Sequence, residues 1–546
     1  MRTLPLLALL ATGCAATPVE RLCDDYWEFL MRESPTWATQ IGDRRYEDSL
    51  GDNGPEARAR WRAGSQRFLE RARAAKPQGE DEIVTLDLLT GRLELELAQD
   101  EHAFWQWDVD QMYGPQIWIL QLVNTHPLGD ERGRRSFAKR LEAFPAWIDR
   151  YVADLREGMR HGRVATRMAT ERVAAQLRTQ LAKPDAEWPL AKAGPVAPVR
   201  RAFETLAAFL EKEYLPREAV GLSALPGGEA AYRYRIRLQT SLELTPQELH
   251  EIGLAELASI EKEMRAIAKT DDLKAFRARI MADRANFASS REEYLEGFRR
   301  ILRKVDAKLP QWFSRLPKNG YEVKPIEEYR EKDAVAAFYN RAPEDGSRLG
   351  IFYANCHRPE TRPRYNMAAL AVHEAVPGHH LQIALLVELR GLPAFRRNSG
   401  CTAYVEGWAL YTERLADEMG VYETDLERFG MLTYQAWRAC RLVVDTGIHA
   451  LGWSRERSIE FFKDHLALSE TEIVNEIDRY IIWPGQALAY KVGQREIQSL
   501  RAKAEKALGA QFRLPEFHTE VLRHGAVTLP VLRRLIERWI ARQVRP

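Results

Sequence analysis

HEAVPGHH, residues 373–380, packs one glutamate and three histidines into a single short stretch. That density of ligand-type side chains points to a metal site. Two histidines four apart on a helix differ by about 40° and one turn, so both reach one ion. Here Pro377 occupies that fourth place. His379 is six positions after His373 and, on a regular helix, points about 120° away. His380 is seven after and returns to the same face, but about 10 Å along the axis.

The distortion that repairs this spacing is present in the same letters. Pro377 lacks an N–H for the carbonyl of His373, and its ring clashes with that turn. Gly378 tolerates unusual dihedrals. A bulge of the π type adds a residue to a turn without changing the facing of the residues after it. Two added residues between Glu374 and Gly378 would bring His379 to the place of a four-spaced histidine. His379 is thereby favoured over His380, which stays the alternative ligand.

A third protein ligand is then needed, with a fourth position left open. TAYVEGWALYTERL (402–415) supplies Glu406, among aromatic and small neighbours (Tyr404, Gly407, Trp408) that suit a buried, partnered carboxylate. Glu413, two turns later on the same face, is a supporting or alternative ligand. Glu374 follows the first histidine directly. In HExxH enzymes that glutamate is the general base. The implied cofactor is one divalent ion, zinc by preference, although a His₂Glu site also admits manganese or cobalt.

Working outward, RPRYNMAALAVHEAVPGHHLQIALLVEL (362–389) reads as helix, as does Ala403–Glu418. Before them, YEVKPIEEY (321–329) and RLGIFYAN (348–355) read as strands of a small sheet. The second strand could offer an edge to an extended peptide or equally be a plain member of the sheet. Residues 20–310 read almost wholly as helix. VRRAFETLAAFLEKEYL (199–215) and ELHEIGLAELASIEKEMRAIA (248–268) repeat apolar residues at three- and four-residue intervals. LTPQEL (244–249) is a capping box with a proline at the first helical position. Loops are expected near 183–198, 225–228 and 316–320. The expected organisation is a leader and tether over 1–19, an N-terminal helical domain over 20–315, and a metal-binding catalytic domain with the sheet and C-terminal helices over 316–546.

The chain has 546 residues, 45% hydrophobic and 29% charged, with a net charge of +2 from 80 basic and 78 acidic residues. No one-signed field results, which argues against a nucleic-acid partner. MRTLPLLALLATGC carries one positive charge, a short apolar run and small residues up to Cys14. This is a signal peptide whose ending resembles a lipobox, with Cys14 as the lipidated residue; the alternative is ordinary cleavage nearby that releases a free periplasmic protein. Ala15 carries no acidic inner-membrane retention signal, so an outer-membrane lipoprotein on the periplasmic side is expected, touching the membrane only through its lipid anchor. Cys23, Cys356, Cys401 and Cys440 show no zinc-ligand spacing. Cys356 and Cys401 flank the motif and either pair as a disulfide or stay buried thiols.

HEAVPGHHLQ, TAYVEGWALYTERL, RYIIWPGQALAYKVG (479–493) and DDYWEFLMRESPTWATQIGDRRY (24–46) resemble the bacterial family known as domain of unknown function 885. That family looks distantly like the gluzincin metallopeptidases. The resemblance implies a mainly α, multi-helical body with one small sheet beside the metal-binding helix. It implies His373, His379 and Glu406 as zinc ligands and Glu374 as base. WPGQALAYKVG is similar to the gluzincin segment that stabilises the oxyanion, which makes Tyr490, on a helix with Lys491, the candidate donor. Arg479 and Tyr480 are candidates for holding a substrate carboxylate. The expected function is zinc-dependent hydrolysis of peptide bonds in short peptides of the cell envelope. Two alternatives are an amidase acting on cell-wall fragments or modified small molecules, and a catalytically inactive binding lipoprotein.

Overall fold

Helix starts follow the capping chemistry written in the chain. Thr245 accepts a hydrogen bond from the Glu248 amide at 3.2 Å, while the Thr245 amide donates to the Glu248 carboxylate at 2.8 Å, with Pro246 at the first helical position. The same reciprocal bond opens helices at Thr424 with Glu427 and at Ser469 with Glu472. A computed structural model describes residues 16–327, 331, 334–343, 346 and 348–544. The leader and Cys14 lie outside these residues.

The chain is mainly helical. The helices that build the site are α1 (Pro246–Ala268), α2 (Met367–Glu374), α3 (His379–Val387), α4 (Thr402–Glu418), α5 (Asp425–His449) and α6 (Ala489–Leu508). Most of α5 is buried, and it runs through the middle of the main core. α1 lies along it, with Gly253 tight against Leu442 and Val443. No helix among the described residues is long and apolar enough to cross a membrane.

Three strands form the expected small sheet: β1 (Tyr321–Pro325), β2 (Ala337–Asn340) and β3 (Gly350–Ala354). Their order is β1-β3-β2, with β1 parallel and β2 antiparallel to β3. RLGIFYAN therefore supplies the central strand. Val323 and Tyr339 both register on Phe352, so β3 has no free edge for a peptide, and the expectation that it offers one is corrected. Its residues Gly350, Ile351, Phe352 and Ala354 are buried, and such an unalternating apolar run belongs to a strand covered on both faces.

The main apolar core takes in side chains from Val84 to Ile540. Leu249, Leu257 and Phe298 from one side of residue 315 share it with Phe352, Trp408 and Val443 from the other. Residues on either side of that position thus fold around common ground. A second core, around Phe137, Phe144 and Phe203, belongs to the N-terminal half, while a third, around Tyr26 and Phe68, also takes in Phe395 from beyond residue 315.

Candidate metal centre

The helix carrying His373 does not swell around Pro377; it stops. α2 ends at Glu374 and α3 begins at His379. Between them Ala375 takes φ −106°, ψ −103°, Gly378 takes φ −78°, ψ −127°, and the Val376–Pro377 peptide is cis. The expected π-type expansion is thus replaced by a break and restart. The His380 amide bonds back to the Ala375 carbonyl at 3.0 Å, and the Trp408 indole N–H caps the Pro377 carbonyl at 2.9 Å. A Cβ on Gly378 would lie 2.0 Å from the His373 carbonyl oxygen and 2.3 Å from that of Val372. No side chain fits there, which explains the glycine.

The break achieves the convergence that an unbroken helix cannot. The rings of His373 and His379 stand 4.8 Å apart and nearly perpendicular, at 88°. From α4, Glu406 Oε2 lies 3.7 Å from His373 Nε2 and 3.4 Å from His379 Nε2. All three ligand-type atoms fall within 4.8 Å of one another. Ligand atoms at about 2.0–2.1 Å from one tetrahedral zinc stand about 3.3–3.4 Å apart. The donor types, and the two nitrogen-to-carboxylate distances of 3.7 and 3.4 Å, suit a single divalent ion.

Support comes from α4 and α5. His373 Nδ1–H donates to Glu413 Oε1 at 2.8 Å, which orients the ring and turns Nε2 toward Glu406. Gln435 donates to the other Glu413 oxygen at 3.0 Å, and Lys491 donates to Gln435 Oε1 at 2.9 Å and to Gln494 Oε1 at 2.6 Å. Burial would lower the pKa of His373, but bonding to Glu406 and Glu413 overrides it and raises the value to about 9. Burial would likewise raise Glu406, but His373 and His379 hold its carboxyl far below the usual range. Positive charge is thus favoured where an ion would sit. His379 Nδ1 is buried without a partner among the described residues, so Glu406 and packing alone orient that ring.

His380 turns away. Its Nδ1 meets the Tyr339 hydroxyl of β2 at 2.9 Å, and its ring packs 4.6 Å from that of Tyr321 on β1. Burial lowers its pKa to about 4. The sheet thus holds the second histidine of the pair out of the site. Glu374 closes α2, directly after His373, and is buried. Tyr490, on α6, stacks over His373 at 6.4 Å and 20° between ring planes. Burial, with the nearby Glu406 charge behind it, raises the Tyr490 phenol, so it stays a proton donor at neutral pH.

Arg479 and Tyr480 have their polar groups engaged within the protein. The Arg479 guanidinium is occupied by Glu476 at 2.8 Å and by Gln486. Tyr480 is fully buried, its hydroxyl bonded to Glu476 at 2.6 Å and to Arg441 Nε at 2.9 Å. Lys491 is committed to the glutamines behind Glu413. Cys356 and Cys401 are both free and buried, so the disulfide does not form. The Cys401 thiol contacts Ser241 Oγ at 3.5 Å instead. Sequence reasoning missed Gln435, Arg438 and Arg441. The available signal was two arginines three apart, in TYQAWRACRLVV, on a helix otherwise apolar enough to be buried.

Among curated proteins none matches the chain. Among solved structures, a protein from Colwellia psychrerythraea, assigned as a lipoprotein, superposes with a TM-score of 0.90 at 26% identity, over 96% of this chain and 100% of that one. A protein from Shewanella oneidensis, assigned as a lipoprotein of unknown function, superposes with a TM-score of 0.78 at 19% identity, again over 96% and 100%. The model of the family described as "Bacterial protein of unknown function (DUF885)" matches residues 35–536, nearly the whole described chain including every residue of the His373–His379–Glu406 cluster. The chain belongs to the DUF885 family.

Proposed function

We propose that this chain is a metal-dependent hydrolase of peptide bonds, related in design to the gluzincin metallopeptidases and acting on short peptides in the bacterial cell envelope. The observation that carries this reading is the convergence of His373 Nε2, His379 Nε2 and Glu406 Oε2, with Glu413 orienting His373 from behind. Zinc is the favoured ion, since two imidazoles and one carboxylate with a fourth position open form a hydrolytic zinc set. The lipobox-like leader ending at Cys14, together with the Colwellia relative assigned as a lipoprotein, supports a lipid-anchored protein on the periplasmic side of the outer membrane.

Once bound, a divalent ion supplies a Lewis acid that polarises a carbonyl and acidifies water. The remaining steps belong to side chains. Glu374 accepts the proton of the attacking water and passes it to the leaving amine. Tyr490, kept protonated by burial, donates to the carbonyl oxygen as negative charge develops there. Glu413 holds His373 in one tautomer throughout.

The test is a peptide library offered to zinc-reconstituted protein, beside Glu374→Gln at equal metal content. Wild-type cleavage with a ~10²-fold or larger fall in the variant is expected. Undiminished turnover in the variant rejects Glu374 as base, and no amide hydrolysis by the metal-loaded wild type rejects the reading.

A further inference from the structure

Arg438 and Arg441 lie three residues apart on α5, both 4% exposed. Arg441 spends Nε on Tyr480 and Nη2 on Glu476, at 2.9 and 3.1 Å. Its Nη1 is buried with no hydrogen-bond partner among the described residues. Arg438 is less satisfied still. Its Nε is equally orphaned; Nη1 reaches the Tyr434 carbonyl only at 3.5 Å, and Nη2 stands 3.8 Å from Glu413. Glu413 is already occupied by His373 and Gln435. Glu476, the carboxylate beside Arg441, is already shared with Arg479 and Tyr480. Buried guanidinium donors without acceptors are costly unless something completes them.

Their placement says what would. Both guanidinium groups lie over the Tyr490 ring, at 5.9 Å for Arg438 and 4.4 Å for Arg441, and both pack on Trp437. The Tyr490 ring itself stacks on His373. The orphaned donors are therefore one ring removed from the His373–His379–Glu406 cluster, a path through Tyr490 that up to about three extended residues at about 3.5 Å each would span. A planar fork of N–H groups in a dry site matches a carboxylate.

We propose that Arg438 and Arg441 form a carboxylate-binding subsite, which receives the free C-terminus of a short peptide and limits cleavage to bonds within about three residues of that end. This rests on the hydrolase reading of the adjoining cluster.

The experiment compares three matched peptides, ending in a free acid, in an amide, and in an amidated glutamate, on wild type, Arg438→Gln and Arg438→Lys. Ratios are taken within each protein, so a general loss of activity cancels. The wild type should prefer the free acid over the amide by ~10-fold or more in kcat/KM. The ratio should fall toward one in Arg438→Gln and recover in part in Arg438→Lys. Rescue of the amide by terminal glutamate would place a side-chain carboxylate in the same subsite and supports it. A wild-type ratio near one without that rescue, or an unchanged ratio in Arg438→Gln, overturns the proposal. Should no peptide be cleaved, calorimetric binding of the same three peptides to the Glu374→Gln protein decides. Preferential binding of carboxylate peptides then sustains the subsite while the hydrolase reading falls; equal or absent binding removes both.

Discussion

Gly407 and Gly493 bring α4 and α6 into backbone contact: a Cβ on Gly407 would lie 2.4 Å from the Gly493 Cα, and one on Gly493 would lie 1.7 Å from the Ala403 carbonyl oxygen. The crossing sits one residue from Glu406 and three from Tyr490. It sets the distance between the carboxylate that joins the histidines and the phenol stacked on His373. Gly407→Ala should therefore destabilise the fold by about 2 kcal/mol or more, since backbone rather than a yielding side chain opposes the methyl. It should also weaken metal binding by displacing Glu406. Denaturant midpoints and equilibrium dialysis against zinc check the two effects; a variant as stable and as tight as wild type would show that α4 and α6 separate freely.

The two neighbouring histidines make opposite predictions. His379→Ala removes one of two nitrogens facing Glu406 and should abolish stoichiometric zinc. His380→Phe leaves those nitrogens in place and loses the ring's bonds to the Tyr339 hydroxyl and the Asn319 backbone. It should keep full metal occupancy while costing about 1–2 kcal/mol of stability. Elemental analysis after zinc exposure separates them, and the reverse pattern would mean that His380 is the ligand.

Glu413→Gln tests the support behind the first histidine. The amide can no longer accept as an anion from His373 Nδ1–H, and the uncharged side chain loses the balance against Arg438 at 3.8 Å. A 10–100-fold weaker zinc Kd is expected, because partners of this kind fix ring orientation and raise ligand basicity. An unchanged Kd would leave His373 oriented by packing alone.

Much of the site was legible in the letters, and the failures have physical causes. The metal cluster emerges from residue type and spacing once Pro377 and Gly378 are allowed to deform the chain. The form of the deformation does not, because a swollen turn and a broken helix both bring His379 round to His373. What chose the break is tertiary: Trp408, on a helix far along the chain, holds the Pro377 carbonyl. β1 and β2 claim His380 through Tyr321 and Tyr339, which leaves His379 facing His373 and Glu406. No local rule reports such a partner. The central position of β3 is written in its unbroken apolar run, which favours a sheet member over a free edge. The division of the chain near residue 315 was suggested by a change of texture, but local texture says nothing about which surfaces share a core. In this fold α1 packs along α5 across that point.

Acid stability offers a test away from the metal site. His449 and His518 are both fully buried, and burial lowers each pKa to about 3. His449 accepts from the Leu222 amide at Nδ1, at 3.2 Å, and donates from Nε2 to the Tyr480 carbonyl at 2.9 Å. A second proton would set Nδ1–H against the Leu222 N–H, so the folded protein resists it. The unfolded chain takes a proton near pH 6.5 and the native state does not. The stability due to neutral histidine is therefore complete above that pH and is lost as the pH falls below it, by about 1.4 kcal/mol per pH unit for each group. Denaturant titrations between pH 8 and 4.5 should show the contribution of these two histidines being lost below about 6.5, read as the difference in slope between wild type and a variant lacking one of them. His449→Gln should be less stable at pH 8, because its two bonds are disturbed, yet shallower in slope by the equivalent of one proton. An unchanged slope would mean that His449 protonates within the native state, and that its bonds to Leu222 and Tyr480 do not hold the neutral form.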